Sequence, residues 1–235
     1  MVTESPAIFP PAGYRSPRPA PVPTLVAWAH EHLLSMLVSM EIAPGTRIGI
    51  DAVARKLGIS QTPIREALSQ LEAEKLVSKM TNVGYRASTQ MTREEVRDLY
   101  TLRQLIEPYA AARAAESMTD ESIAILEAID RDMSGVVEGD ARAFSRFAEA
   151  DATLHRLIAT GSGNRLIAET IQRLHSHLHI FRALYRTNAP QEAAAEHRVI
   201  IDALVAHDPH AAEQAVRIHL ERSQERMDRA TAPSP

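Results

Sequence analysis

The chain has 235 residues, no cysteine and a formal net charge of −4. That length allows one large or two ordinary domains. The missing thiols exclude a disulfide framework and a thiolate metal site, and fit a reducing cytoplasm. No apolar run is long enough to span a membrane and no signal peptide is visible. The charge is uneven, with nine Lys/Arg against seven Asp/Glu in residues 1–90, and 17 against 23 in residues 91–235. A slightly basic head on an acidic body fits one part that touches nucleic acid and one that binds something else.

Residues 1–24 carry seven of the 14 prolines and read as a disordered, partly extended arm, with Arg15 and Arg18 in reach of phosphate. Leu25 to Met40 has helical spacing, with Leu25, Trp28, Ala29, His32, Leu33, Met36, Leu37 and Met40 on one stripe. His30 and His32 read as surface or edge-of-core groups. Pro44-Gly45 reads as a turn and Thr46–Ile48 as a short strand.

Asp51 to Leu76 is the most informative stretch. Val53, Ala54 and Leu57 give a small helix an apolar stripe, and Gly58 stands where its exit needs a left-handed residue. Ser60 is placed to cap the next helix, and Pro63 falls in that helix's first turn, where its missing N–H breaks no intrahelical bond. Ile64, Ala67, Leu68 and Leu71 face inward, so Gln61, Thr62, Arg65, Glu66 and Ser69 face out. That is the layout of a helix-turn-helix, whose second helix enters the major groove. Val77–Met80 and Tyr85–Ser88 flank Thr81-Asn82-Val83-Gly84 as a β-hairpin, which makes the head a winged helix-turn-helix. Gly84 would allow the wing close approach to DNA, with Arg86 near the phosphates; the alternative for both residues is ordinary turn chemistry.

From Met91 the pattern is all helical. Thr92 and Glu95 form a capping box for a helix to about Ser117, with a kink expected at Pro108. Further helices are expected from Thr119 to before Gly135, from Ala141 to Thr160, from Asn164 to about Thr187, from Pro190 to Ala206 and from Asp208-Pro209 to about Arg229. The fold class is therefore mainly α: a winged head over residues 25–90, a six- to seven-helix bundle over 91–229, and a disordered tail over 230–235.

Asp151 and His155 stand four apart on the apolar stripe of one bundle helix, and His197 and His219 lie on the apolar stripes of two later helices. A carboxylate on such a face is costly unless paired or metal-bound. One carboxylate and three imidazoles suit a divalent metal ion of Zn, Ni or Mn type, although a histidine alone on such a face is more often a satisfied core group. His175, His177 and His179 are a rival set, with His175 and His179 at helical spacing; they read also as one polar face beside Arg173 and Arg182. Arg103 lies on an apolar stripe. It can be neutralised by Glu107 four residues on, or hold an anionic ligand.

The run LGISQTPIREALSQLEAEKLV resembles the recognition helix of GntR-family transcription regulators. FAEADATLHRLIATGSGN, EHRVIIDAL and AVRIHL resemble segments of the all-α FCD effector domain carried by one branch of that family. The resemblance covers about residues 25–228. It implies a metal site at Asp151, His155, His197 and His219, a homodimer, a palindromic double-stranded DNA operator, and a small carboxylate effector held near the metal and Arg103. Arg65, Thr62 and Gly84 match the family's DNA contacts. Gln61 stands where the family usually has Arg, which shifts the expected preference from guanine toward adenine. Asp51 stands where some members carry a DNA-contacting Arg, so that contact is not carried over. The expectation is a ligand-responsive DNA-binding repressor that is no enzyme. The alternatives are a metal-dependent enzyme, for which no general base stands near the ligands, and a metal-sensing regulator.

Overall fold

The computed structural model describes residues 24–80, 84–133, 140–185 and 187–231. The expected N-terminal arm with Arg15 and Arg18, the hairpin turn Thr81-Asn82-Val83 and most of the expected tail lie outside the described residues. No helix among the described residues is long and apolar enough to cross a membrane.

The head is built from α1 (Leu25–Val38), β1 (Arg47–Ile48), α2 (Ile50–Leu57), α3 (Gln61–Ala73), β2 (Val77–Met80) and β3 (Gly84–Ala87). The sheet is antiparallel in the order β1-β3-β2. Leu33, Leu37, Ile64, Leu68 and Leu71 are fully buried and lock α1 against α3. Gly58 exits α2 at φ 70, as its position requires. Ser60 takes the N-cap position of α3 without a side-chain cap hydrogen bond, so α3 starts without the cap its sequence offers.

The bundle follows as α4 (Arg93–Ser117), α5 (Asp120–Met133), α6 (Ala141–Gly161), α7 (Arg165–Leu174), α8 (Ser176–Ala183), α9 (Ala189–Val205) and α10 (Pro209–Ala230). Its helices start where the sequence carries stop and start signals. Thr92 and Glu95 close a reciprocal capping box, with Thr92 N donating to Glu95 Oε2 at 2.7 Å and Glu95 N donating to Thr92 Oγ1 at 3.2 Å. Asn164 and Asp208 accept from the first-turn amides of α7 and α10. α10 packs most extensively along α4, and Tyr100 on α4 shares a buried 2.6 Å hydrogen bond with Ser223 on α10.

One expected helix divides in two. The pattern from Asn164 to Thr187 reads as continuous, but α7 stops at Leu174 and α8 starts at Ser176, with His175 between them in the left-handed region at φ 46. A non-glycine residue there costs roughly 1 kcal/mol. The turn is offset by what it buries, since Ser176, His177, Leu178, Ile180, Phe181 and Arg182 all lose solvent on α8.

Head and bundle are packed together. α1 lies against α6 and α8. Arg146 pairs with Glu31 at 3.3 Å, Arg142 meets His32 Nε2 at 2.5 Å, and Lys75 Nζ donates to the Arg173 carbonyl at 3.2 Å. His30 therefore sits in the junction, 3.0 Å from Glu74 and 3.9 Å from Glu149. Burial draws its pKa down, but the hydrogen bond and charge of Glu74 more than offset this and leave it above 6.5. A raised folded value means that this pair stabilises fully below pH 6.5, and that the contribution is lost as pH rises through the folded value. The expected size is about 1 kcal/mol. Thermal unfolding at about pH 6 and about pH 8.5 should show a larger loss for the natural chain than for His30→Gln. Equal losses would remove His30 from the account.

Candidate functional site

The outward face of α3 carries the expected DNA-reading set. Gln61, Thr62 and Arg65 are exposed at its N-terminal end, while Pro63, Ile64, Ala67 and Leu68 are buried beneath them. Arg65 Nη2 donates to Gln61 Oε1 at 3.2 Å, so the two side chains hold each other over the first turn. Gly84 opens β3 at φ 102, a value that strains any side-chain-bearing residue. Arg86 is exposed on β3, and its Nη1 donates to the Gly45 carbonyl at 2.5 Å, which holds the guanidinium near β1.

In the bundle, α6, α9 and α10 converge. Asp151, His155, His197 and His219 are each 3% exposed or less, which leaves four potential ligands with almost no water. The ring centroids of His155 and His219 are 5.1 Å apart, those of His197 and His219 4.8 Å, and those of His155 and His197 5.6 Å. One ring nitrogen from each of these three histidines lies within 4.8 Å of the others. His197 Nε2 is 3.1 Å from Asp151 Oδ1, yet out of line for a hydrogen bond. Three of the four residues chosen from stripe positions, His155, His197 and His219, form one potential ligand group, and Asp151 stands beside it in a second group with His155 and His177.

Two carboxylates unremarked as histidine partners in the sequence complete the arrangement. His155 Nδ1 is bound to Glu107 Oε2 at 2.6 Å, and His219 Nδ1 to Glu196 Oε2 at 2.8 Å. A carboxylate on Nδ1 fixes the tautomer and turns the Nε2 lone pair inward, the usual support for a metal-ligating histidine. His155 Nε2 and both nitrogens of His197 are buried with no hydrogen-bond partner among the described residues. Such orphaned imidazoles are costly in a dry core, and an ion would satisfy them. Burial pushes the pKa of His219 down to about 3 despite Glu196, so the imidazole is neutral near pH 7, as a ligand must be. Burial also raises the Asp151 carboxyl, but His177 and His197 overcome it and hold the group ionised, well below the usual range. The donor set, its protonation and its orphaned atoms fit a divalent ion.

His177 is the residue that sequence reasoning placed least well. Its Nδ1 hydrogen-bonds Asp151 Oδ2, and its Nε2 is buried without a partner among the described residues. It forms a second potential ligand group with Asp151 and His155. His175 and His179 take no part in either group, so the pairing of those two as half a site is not what the fold makes. The break at His175 resets the helical phase and turns His177 alone toward α6. The available signal was the spacing of His177, Leu178 and Phe181, which puts the histidine on the apolar face of α8.

Arg103 forms the ion pair read from its position and keeps one N–H group outside it. It is 1% exposed, and its Nε donates to Glu107 Oε1 at 2.5 Å, so the ion pair forms. Its Nη1 stays buried without a partner among the described residues. Arg103 also lines a cavity with Asp151, His177, His219, Ser223 and Arg226, but that cavity measures only about 10 Å³. It has room for about one water.

A family model described as the FCD domain matches residues 98–222, and one described as bacterial regulatory proteins, gntR family, matches residues 26–86. A probable D-xylose utilization operon transcriptional repressor of Paenarthrobacter nicotinovorans is 32% identical over 190 residues, covering 78% of this chain and 82% of that protein. The HTH-type transcriptional repressor RspR of Escherichia coli strain K12 is 27% identical over 191 residues, covering 80% and 82%. The solved structure of E. coli McbR/YncC superposes with a TM-score of 0.61 at 22% identity, over 85% of this chain and 94% of that one, which is a likeness of fold.

Proposed function

Because this chain belongs to the GntR family of bacterial regulatory proteins, it is a DNA-binding transcriptional regulator rather than an enzyme, and we propose that it is a homodimeric repressor controlled through a metal centre in its FCD domain. The observation that carries the metal reading is the pair of carboxylate-backed histidines, Glu107–His155 and Glu196–His219, around buried imidazole nitrogens without partners. Asp151, His155, His197 and His219 would hold the ion. A divalent ion there supplies a Lewis-acidic position for an oxygen of a small carboxylate effector. Arg103 Nη1 and His177 Nε2 are the unpaired N–H or lone-pair groups beside it and would orient the same carboxylate. The cavity is too small for such a molecule as it stands, so effector binding must move a wall. That displacement is the means by which occupancy would reach the DNA heads.

On the DNA side, Arg65, Gln61 and Thr62 would enter the major groove, with Arg65 on a guanine edge, Gln61 on an adenine edge and Thr62 on phosphate. Gly84 and Arg86 would lie along the backbone beside the wing. Two such heads in a dimer would meet a palindromic operator.

The test begins with an operator selected from random duplexes by the metal-loaded protein. Arg65→Ala should lose about 1 to 3 kcal/mol of specific affinity with its fold intact, because Arg65 is exposed. Small carboxylates titrated against the natural complex should change operator affinity by roughly 5- to 150-fold, and operator should change carboxylate affinity by the same factor. Retained specificity in Arg65→Ala would remove the proposed base contact. An operator affinity that tracks metal concentration, and ignores every carboxylate, would make the ion itself the signal.

A further inference from the structure

The small cavity beside Arg103 and Asp151 shares a wall with a much larger one. Arg226 on α10 lines that inner cavity of about 10 Å³, and it also lines an outer cavity of about 410 Å³ between α9 and α10. Among the described residues no other belongs to both. The remaining walls of the outer cavity carry both signs, with Arg222 and Arg229 against Glu192 and Glu225. A small carboxylate can therefore approach it without meeting a surface of one repelling charge.

Arg226 is clamped by two carboxylates. Its Nη1 donates to Glu196 Oε1 and its Nη2 to Glu196 Oε2, both at 2.9 Å, and Nη1 also reaches Glu192 Oε2 at 3.3 Å. Its Nε is buried with no partner among the described residues. Glu196 is itself buried, so the departure of Arg226 would strand a charge unless another cation took its place. Arg222 stands one turn earlier on α10, exposed, with Nη1 already 3.9 Å from Glu196 Oε1. The other walls of the inner cavity have no such relief. Arg103 is fixed to Glu107, and Ile180, Phe181 and Leu184 are packed into the core. His177 divides the inner cavity from a third one of about 140 Å³, but it is bonded to Asp151 and cannot turn without disturbing the ligand set.

We propose that Arg226 is the door through which a small carboxylate reaches the metal centre. The inference rests on the metal and carboxylate reading given above, and it names the wall that this reading requires to move. Closed, Arg226 is held by Glu196 and Glu192. Open, it swings into the outer cavity, Arg222 takes over Glu196, and the two cavities join. The bond from His219 Nδ1 to Glu196 survives the exchange, so His219 keeps the tautomer that turns Nε2 toward the ion. The same end of α10 is tied to the exit from the head, since Arg93 Nε at the start of α4 donates to the Thr231 carbonyl at 3.1 Å.

The probe is acetate, and the readout is the visible absorption of the full chain loaded with cobalt(II), which changes when the ion gains a ligand. The protein is mixed rapidly with rising acetate at constant ionic strength. In the natural chain the rate of the change should level off, because opening then limits entry. Glu192→Gln, at an exposed position, removes one clamp and should raise that plateau severalfold. Arg222→Gln, also exposed, removes the relief partner and should lower it. Arg226→Ala should show no plateau, its rate rising with acetate throughout; if it does not fold, the two exposed variants carry the test. Arg156→Ala, in the wall of the cavity behind His177, should match the natural chain. A natural rate that never levels off, an unchanged plateau in Glu192→Gln or Arg222→Gln, or an altered one in Arg156→Ala overturns the door and leaves the carboxylate reading standing. No response to acetate in any of these proteins overturns both.

Discussion

Asp151→Ala is expected to leave the purified, untagged protein without bound metal and to lower its unfolding temperature by roughly 8 to 16 °C relative to the loaded natural chain. An ion present at about a thousand times its dissociation constant stabilises by about 4 kcal/mol, and each kcal/mol moves a protein of this size by about 2 to 4 °C. Chelation of the natural chain should give a fall of the same order. Asp151 is the right position for this test because it also accepts from His177 and stands 3.1 Å from His197. Elemental analysis of the two proteins settles the ligand set before any effector is sought. Metal at equal stoichiometry in both would exclude Asp151 as a ligand, and metal in neither would leave the buried histidines to an organic ligand.

Arg103→Ala should cost about 3 to 5 kcal/mol, measured by denaturant unfolding. The reason is the carboxylate it leaves behind. Glu107 is 5% exposed and is held ionised: burial opposes this, but Arg103 and His155 overcome it. Without the guanidinium, a buried charge keeps only an imidazole for company. The double change Arg103→Met with Glu107→Gln should recover more than half of the loss, since Gln can still accept from His155 Nδ1 while no charge stays buried. If the double variant is no better than Arg103→Ala, the loss comes from packing and not from the stranded carboxylate.

The helix-turn-helix was legible because its signals are local. Gly58, Pro63 and the spacing of Ile64, Leu68 and Leu71 fix helix ends and faces within a few residues, and the structure follows them. The four candidate ligands were legible for a related reason: helical periodicity assigns each one to an inward face, and short loops bring the inward faces together. What periodicity cannot carry is partnership across helices. Glu107 reads as half of a local pair with Arg103, and nothing in the sequence shows that its other oxygen meets His155, 48 residues away. The division at His175 was hidden because the turn uses a histidine in a conformation usually marked by glycine or asparagine. With that turn unseen, His177 and Arg182 read as parts of one polar face, although both are buried on α8. The idle Ser60 is the reverse case, a strong local signal that the fold leaves unused.

The turn at His175 has a mechanical consequence. α8 has eight residues, so it is only about 12 Å long and has no interior point at which to bend. One side of it presents His177 to Asp151, and the other fastens Arg182 to the Ser88 carbonyl at the base of the head. A tilt that withdraws His177 from the ligand cluster must drag the head's attachment with it, as the two ends of a short seesaw cannot move separately.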